Sequence, residues 1–160
     1  MCNILNKNYY VIYSLKNITS INTLRSVYFA NFHLHLRYGI LFGGGDPQIT
    51  KVLKLEKKVV RLSCNDKRKT SCRELIRTLN ILPVPCVYIM YMVYYIKVNN
   101  KGLKQNLAIH DYETQHRSDF QTQFCRTDIF KKSVINLGTK LYNKLPNYLK
   151  NLNLKPFKNN

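Results

Sequence analysis

Apolar residues recur at helical spacing through most of the chain, and polar or Gly/Pro-bearing stretches separate the runs. Leu5, Tyr9, Ile12 and Tyr13 fall three and four apart among Asn and Lys, which predicts a helix over residues 2–16. Thr19-Ser20 then offers a cap. Leu24, Val27, Tyr28, Asn31, Leu34 and Tyr38 mark one face of a second helix over residues 21–38, with Gly39 where a left-handed C-terminal cap is wanted. Gly43-Gly44-Gly45 breaks the pattern. Asp46-Pro47 follows as an N-cap with proline in the first helical position. A third helix then runs to about Leu62 on an apolar face of Ile49, Val52, Leu53, Val59 and Val60.

After a basic loop over residues 65–70, Ser71 to Glu74 fits the S-x-x-E capping box and opens a short helix with Leu75, Ile76 and Leu79. Pro83 and Pro85 end it and start another, whose stretch Val87 to Ile96 is the most apolar in the chain. A membrane span needs roughly 20 predominantly apolar residues. Residues 81–98 are interrupted by two prolines and carry four tyrosines, so they predict a buried core helix with no membrane partner. Periodicity fades over residues 99–132, a polar connection with short elements. It returns at Val134, Leu137, Leu141 and Leu145, and Pro146 stops it. The basic tail after residue 151 is expected to be disordered. The fold class is therefore mainly α: an irregular bundle of about five or six helices with a long polar loop. Residues 1–98 form a helical region, 99–132 the loop, 133–150 a C-terminal helical segment and 151–160 the tail.

Composition adds a partner class. Of 160 residues 45% are hydrophobic, enough for a core, and 26 Lys+Arg against 8 Asp+Glu give a formal charge of +18. That excess favours polyanions, nucleic acid first. The five cysteines, Cys2, Cys64, Cys72, Cys86 and Cys125, are odd in number and form no C-x-x-C pair. With no basic-then-apolar leader at the start, an intracellular location, nuclear or cytoplasmic, is expected rather than secretion.

Few residues offer catalytic chemistry. Asp46 and Glu74 read as helix caps, and Glu56, set among lysines, as one end of a surface ion pair. His110-Asp111-Tyr112-Glu113 with His116 is the nearest thing to a cluster, but its spacing matches no metal site. His33 and His35 are two apart and point to different faces of a helix, so they do not share a metal. Cys64 and Cys72 lack a second Cys/His pair for zinc. The triple glycine is followed by no Gly-Lys-Ser/Thr and is not a phosphate loop. No catalytic residue, metal or cofactor is expected.

Cations do form a pattern. Lys51, Lys54, Lys58 and Arg61 recur at three or four and make one stripe opposite the apolar face of their helix. The stripe feeds Lys67, Arg68 and Lys69, and Arg73 follows. Such a surface tracks an RNA or DNA backbone, with contacts that position rather than specify. A second basic region, from Lys131 onward, has seven lysines and no acid.

Five segments, in order, resemble the part that follows the polymerase palm in non-LTR (LINE-type) retrotransposon reverse transcriptases of the jockey and related groups. They are VYFANFHLHLRYGILF (residues 27–42), KLEKKVVR (54–61), KTSCREL (69–75), His110-Asp111-Tyr112, and LGTKLYNKLP (137–146). The resemblance covers about residues 1–150. It implies thumb and post-thumb helices that, in the intact family, pack on the minor groove and backbone of the template-primer duplex. It also implies a fragment without catalysis, because the palm motif Tyr/Phe-Ala-Asp-Asp is absent. Two departures stand out. Gly43 follows Leu41-Phe42 where the family has tryptophan, and Glu113-Thr114-Gln115 follows Tyr112 where it has Asn-Thr-Arg. The alternative reading is a free-standing basic nucleic-acid-binding or interaction protein without enzymatic activity.

Overall fold

The computed structural model describes residues 2–43, 48–65, 71–109 and 116–151 and is mainly helical. The chain divides into two units between Tyr91 and Met92.

In the first unit, α1 (Cys2–Leu15) buries Leu5, Asn8 and Ile12. Thr19 closes its end, the hydroxyl donating to the Leu15 carbonyl at 2.9 Å. Ser20 caps the next helix, its Oγ accepting from the Thr23 N–H at 3.3 Å. That helix does not stop at Gly39, as the glycine suggested. It continues to Gly43 as α2 (Ile21–Val27), a π-helical segment (Tyr28–His33) and α3 (Leu34–Gly43).

The π segment has a cause in the sequence. Leu24, Tyr28, Phe32, Leu36 and Ile40 are all 2% exposed or less and lie four residues apart. A straight α-helix turns 100° per residue, so each four-residue step would carry the buried stripe about 40° round. The wider i→i+5 turns of a π-helix absorb the surplus and keep the stripe on the core. Side chains hold the altered carbonyls. Asn31 Nδ2 donates to the Val27 carbonyl at 3.3 Å, and His35 Nδ1 lies 2.6 Å from that of Asn31. His33 packs edge-on against Phe29; burial, and then the Arg37 charge, lower its pKa and favour the neutral ring.

The helix α4 (Gln48–Ser63) packs along α1, and α5 (Cys72–Thr78) packs on α4. Asp46-Pro47 and the loop cations Lys67, Arg68 and Lys69 lie outside the described residues. Ser71 does take the N-cap position of α5, but its side chain makes no capping bond, so the reciprocal box expected with Glu74 does not form. Nor does Pro83 end α5. Asn80 does, at φ 49°, with its N–H on Arg77 O and the Ile81 N–H on Ile76 O, each at 3.0 Å. This is the double-bonded C-terminal cap usually built on glycine. Arg25 fastens the same corner, its Nε donating to the Leu79 carbonyl at 2.7 Å.

The helix α6 (Val84–Val98) begins in the first unit and ends in the second. Val84, Val87, Met92 and Ile96 are buried along it, and among the described residues no helix is long and apolar enough to cross a membrane.

The second unit is built from short pieces. Two 3-10 turns (Asn100–Gly102 and Asn106–Ala108) lead into an antiparallel bridge between Gln105 and Phe120. The stretch expected as a polar loop is thus partly structured. Asn143 clamps it, accepting from the Phe120 N–H at 3.0 Å and donating to the Phe120 carbonyl at 2.8 Å. Three helices complete the unit: α7 (Asp128–Lys131), α8 (Val134–Asn143) and α9 (Asn147–Lys150). Ser133 caps α8, accepting from the Asn136 N–H. Gly138 lets α8 approach the end of α6, since a Cβ there would stand 2.8 Å from Ile96 Cγ1.

Candidate nucleic-acid interface

The geometry of α4 is decided by which of its residues the core takes. Val52, Glu56, Val59, Val60 and Ser63 are buried, within an arc of roughly 100° at 100° per residue. Lys51, Lys54, Lys57 and Lys58 are exposed and Arg61 is half-buried. These five fill an arc of about 120° on the opposite side. The predicted stripe therefore exists, and Lys57 belongs to it. The same helical spacing marks Lys57, which lies on that arc beside Lys54 and Arg61.

Glu56 corrects the sequence reading. It forms no surface ion pair with the surrounding lysines; it is completely buried. Its Oε1 accepts from the Tyr28 hydroxyl at 3.2 Å, and its Oε2 from the backbone N–H of Val84, the first residue of α6, at 3.1 Å. Position explains this. Glu56 is four residues after Val52 and three before Val59, so the apolar face carries it inward. Burial raises its carboxyl to about pKa 7, against the opposing pull of the Val84 and Tyr28 hydrogen bonds and the Lys57 charge. The Tyr28 hydroxyl is pushed far above its usual range by burial and then by Glu56.

The consequence for the surface is direct. The one acid of α4 faces away from solvent, and among the described residues no carboxylate pairs with Lys51, Lys54, Lys57, Lys58 or Arg61. From Lys51 to Arg61 the stripe runs about 15 Å at the helical rise of 1.5 Å per residue. Arg73 is exposed on the neighbouring helix α5.

The other described acids are scattered. Glu74 is exposed in the first turn of α5, and Asp128 is exposed 3.1 Å from Lys131. Asp119 lies 3.0 Å from Lys150 and 2.9 Å from His116. Partial burial alone would raise its pKa, but the hydrogen bonds from Lys150 and His116 outweigh that and hold it below the usual value. Of the cluster suspected around His110, only His116 falls among the described residues, and its partner is Asp119. Among the described residues no three His, Cys, Asp or Glu side chains gather as for a metal ion.

Comparison with protein-family models, curated proteins and solved structures gave no match to this chain.

Proposed function

We propose that the chain is a non-catalytic nucleic-acid-binding unit that grips the sugar-phosphate backbone with the outer face of α4, and that it derives from the post-palm region of a LINE-type reverse transcriptase. The observation that carries the binding is the inward turn of Glu56, which leaves five cations on one helix face without a carboxylate among them. The ancestry rests on the five ordered sequence segments alone. A free-standing basic binding protein is the second reading. It is favoured by the first unit's core, which closes on itself from Leu5 to Val87 through α1 to α6.

Backbone binding has a quantitative signature. One strand of B-form DNA carries a phosphate about every 3.4 Å of axis, so a 15 Å stripe lies along about four. Each contact contributes about −0.9 to the slope of log K against log salt, giving about −4 for the stripe. Changing Lys51, Lys54, Lys58 and Arg61 to Gln keeps helix propensity and removes the charge. That variant is expected to bind a duplex weakly with the slope flattened by about 3 or more, its circular dichroism unchanged. If affinity and slope persist, while replacing Lys155 and Lys158 abolishes binding, the α4 reading fails.

A further inference from the structure

The second unit carries a surface unlike the α4 stripe. Residues 121–125 run without regular structure from the Gln105–Phe120 bridge toward α7. Gln121, Thr122 and Gln123 form one wall of a cleft of about 270 Å³, and Asn136 and Thr139 of α8 another, with Lys104 also lining it. Amide and hydroxyl groups share this lining with the apolar Leu103 and Ile135. Asn136 is 3% exposed; its Nδ2 meets Cys125 Sγ, while its Oδ1 has no hydrogen-bond partner among the described residues.

Immediately along the chain from the cleft wall, Phe124 is 89% exposed, and Phe130 and Ile129 follow at 43% and 87%. Exposed apolar side chains occur elsewhere too, Ile18 and Tyr38 at 80% among them, but Phe124 offers a ring face for contact beside the cleft. The surrounding charge says of what kind. Arg126, Lys131, Lys132, Lys140 and Lys144 are exposed, and between residues 121 and 144 Asp128 is the sole acid, 3.1 Å from Lys131.

We propose that this surface binds single-stranded nucleic acid. A base stacks on Phe124, the edge of a neighbouring base enters the amide-lined cleft, and Lys104, Arg126 and Lys132 take phosphates. Aromatic platforms in a cationic setting hold single strands in this way, because every base has a face to stack while only unpaired bases expose it. The amides of Gln121, Gln123 and Asn136 supply both donors and acceptors for base edges. The inference rests on the reading that the chain binds nucleic acid, but at a different surface and for a different strand state.

The test uses the full chain, a fluorescently labelled single-stranded oligonucleotide and the matching duplex. Phe124→Ala is expected to weaken single-strand binding about tenfold, as loss of one base stack does, and to change duplex binding less than twofold. Phe124→Trp is expected to keep single-strand affinity, and its exposure makes either change harmless to the fold. The α4 variant is expected to show the converse pattern. A single strand carrying 5-iodouracil should crosslink at Phe124 or Phe130. The proposal is overturned if Phe124→Ala leaves single-strand affinity unchanged, or lowers both affinities equally. It is also overturned if the substitution acts only on self-association of the chain, which would make the patch a protein interface. If Phe124→Ala weakens single-strand binding while the α4 variant binds duplex normally, the α4 reading fails and this one stands.

Discussion

Three lysines flank Glu56 in sequence, and that neighbourhood points to a solvated ion pair, yet the carboxyl is sealed in the core. The spacing of Val52, Glu56 and Val59 carries this information, and position outweighs residue type. A buried carboxyl whose pKa is raised prefers its proton in the folded state. Its contribution to stability is therefore complete below the unfolded value of 4.5 and is lost as pH rises through about 7. At 1.36 kcal/mol per pKa unit, the loss is about 3 kcal/mol. His33 acts in the opposite sense. Its lowered pKa removes stability as pH falls below 6.5, so the wild-type profile mixes the two. Glu56→Gln isolates the carboxyl, because the amide can still accept from Val84 N–H and meet the Tyr28 hydroxyl. Urea unfolding at pH 5 and pH 8 is expected to show the variant gaining about 2.5 kcal/mol on the wild type between the two, since pH 5 already lies above 4.5. A difference that does not change with pH would mean that Glu56 titrates as an exposed acid.

Helix existence was legible from apolar spacing, and helix ends much less so. Glycine and proline are the stops the sequence suggests, but the chain runs straight through Gly39, and α5 is ended by Asn80 in the left-handed conformation. Asn65, just past α4, takes the same conformation at φ 50°. Asparagine is one of the few residues other than glycine that tolerates this region, and in a chain so rich in it the cap signal is diluted. The π segment was missed for a different reason. The face Leu24, Val27, Tyr28, Asn31, Leu34 and Tyr38 has ordinary three-and-four spacing and passes over Phe32, Leu36 and Ile40, which continue the strict four-residue repeat. At Gly138 a glycine matters for packing, and there two effects compete. Gly138→Ala would gain about 1 kcal/mol of helix propensity. A new Cβ would also meet Ile96 Cγ1 at 2.8 Å and Cδ1 at 3.2 Å, and overpacking of this kind costs about 1–3 kcal/mol. Steric cost should win, with a net loss on the order of 1 kcal/mol in thermal unfolding. Ile96→Ala removes both obstructing carbons, so the double variant should be less destabilised than the sum of the two single losses. If the two losses simply add, the contact is not what limits the site.

On the scale of the whole chain, helical class and basic character followed from composition and period, while the division between Tyr91 and Met92 did not, because the apolar run of α6 crosses it without a polar break. The distribution of the acids bears on activity. Two-metal phosphoryl transfer requires carboxylates converging on ions about 4 Å apart. Here Glu56 is held in the core by Tyr28 and Val84, Asp119 is engaged by Lys150 and His116, and Asp128 lies beside Lys131. Glu74 is exposed in the first turn of α5 with no second acid in that helix. A charge of +18 favours attraction of a primer and template, and among the described residues no acids gather as for a metal ion. The purified chain is therefore expected to bind a primed RNA template in a salt-sensitive manner and to add no nucleotide to the primer, with Mg²⁺ or Mn²⁺ present. Extension abolished by Glu74→Gln or Asp128→Asn would show that one of these carboxylates ligates a catalytic ion, and the non-catalytic reading would be wrong. Only extension that survives substitution of every acid in the chain, Asp46, Asp66, Asp111 and Glu113 included, would trace to a polymerase other than this chain.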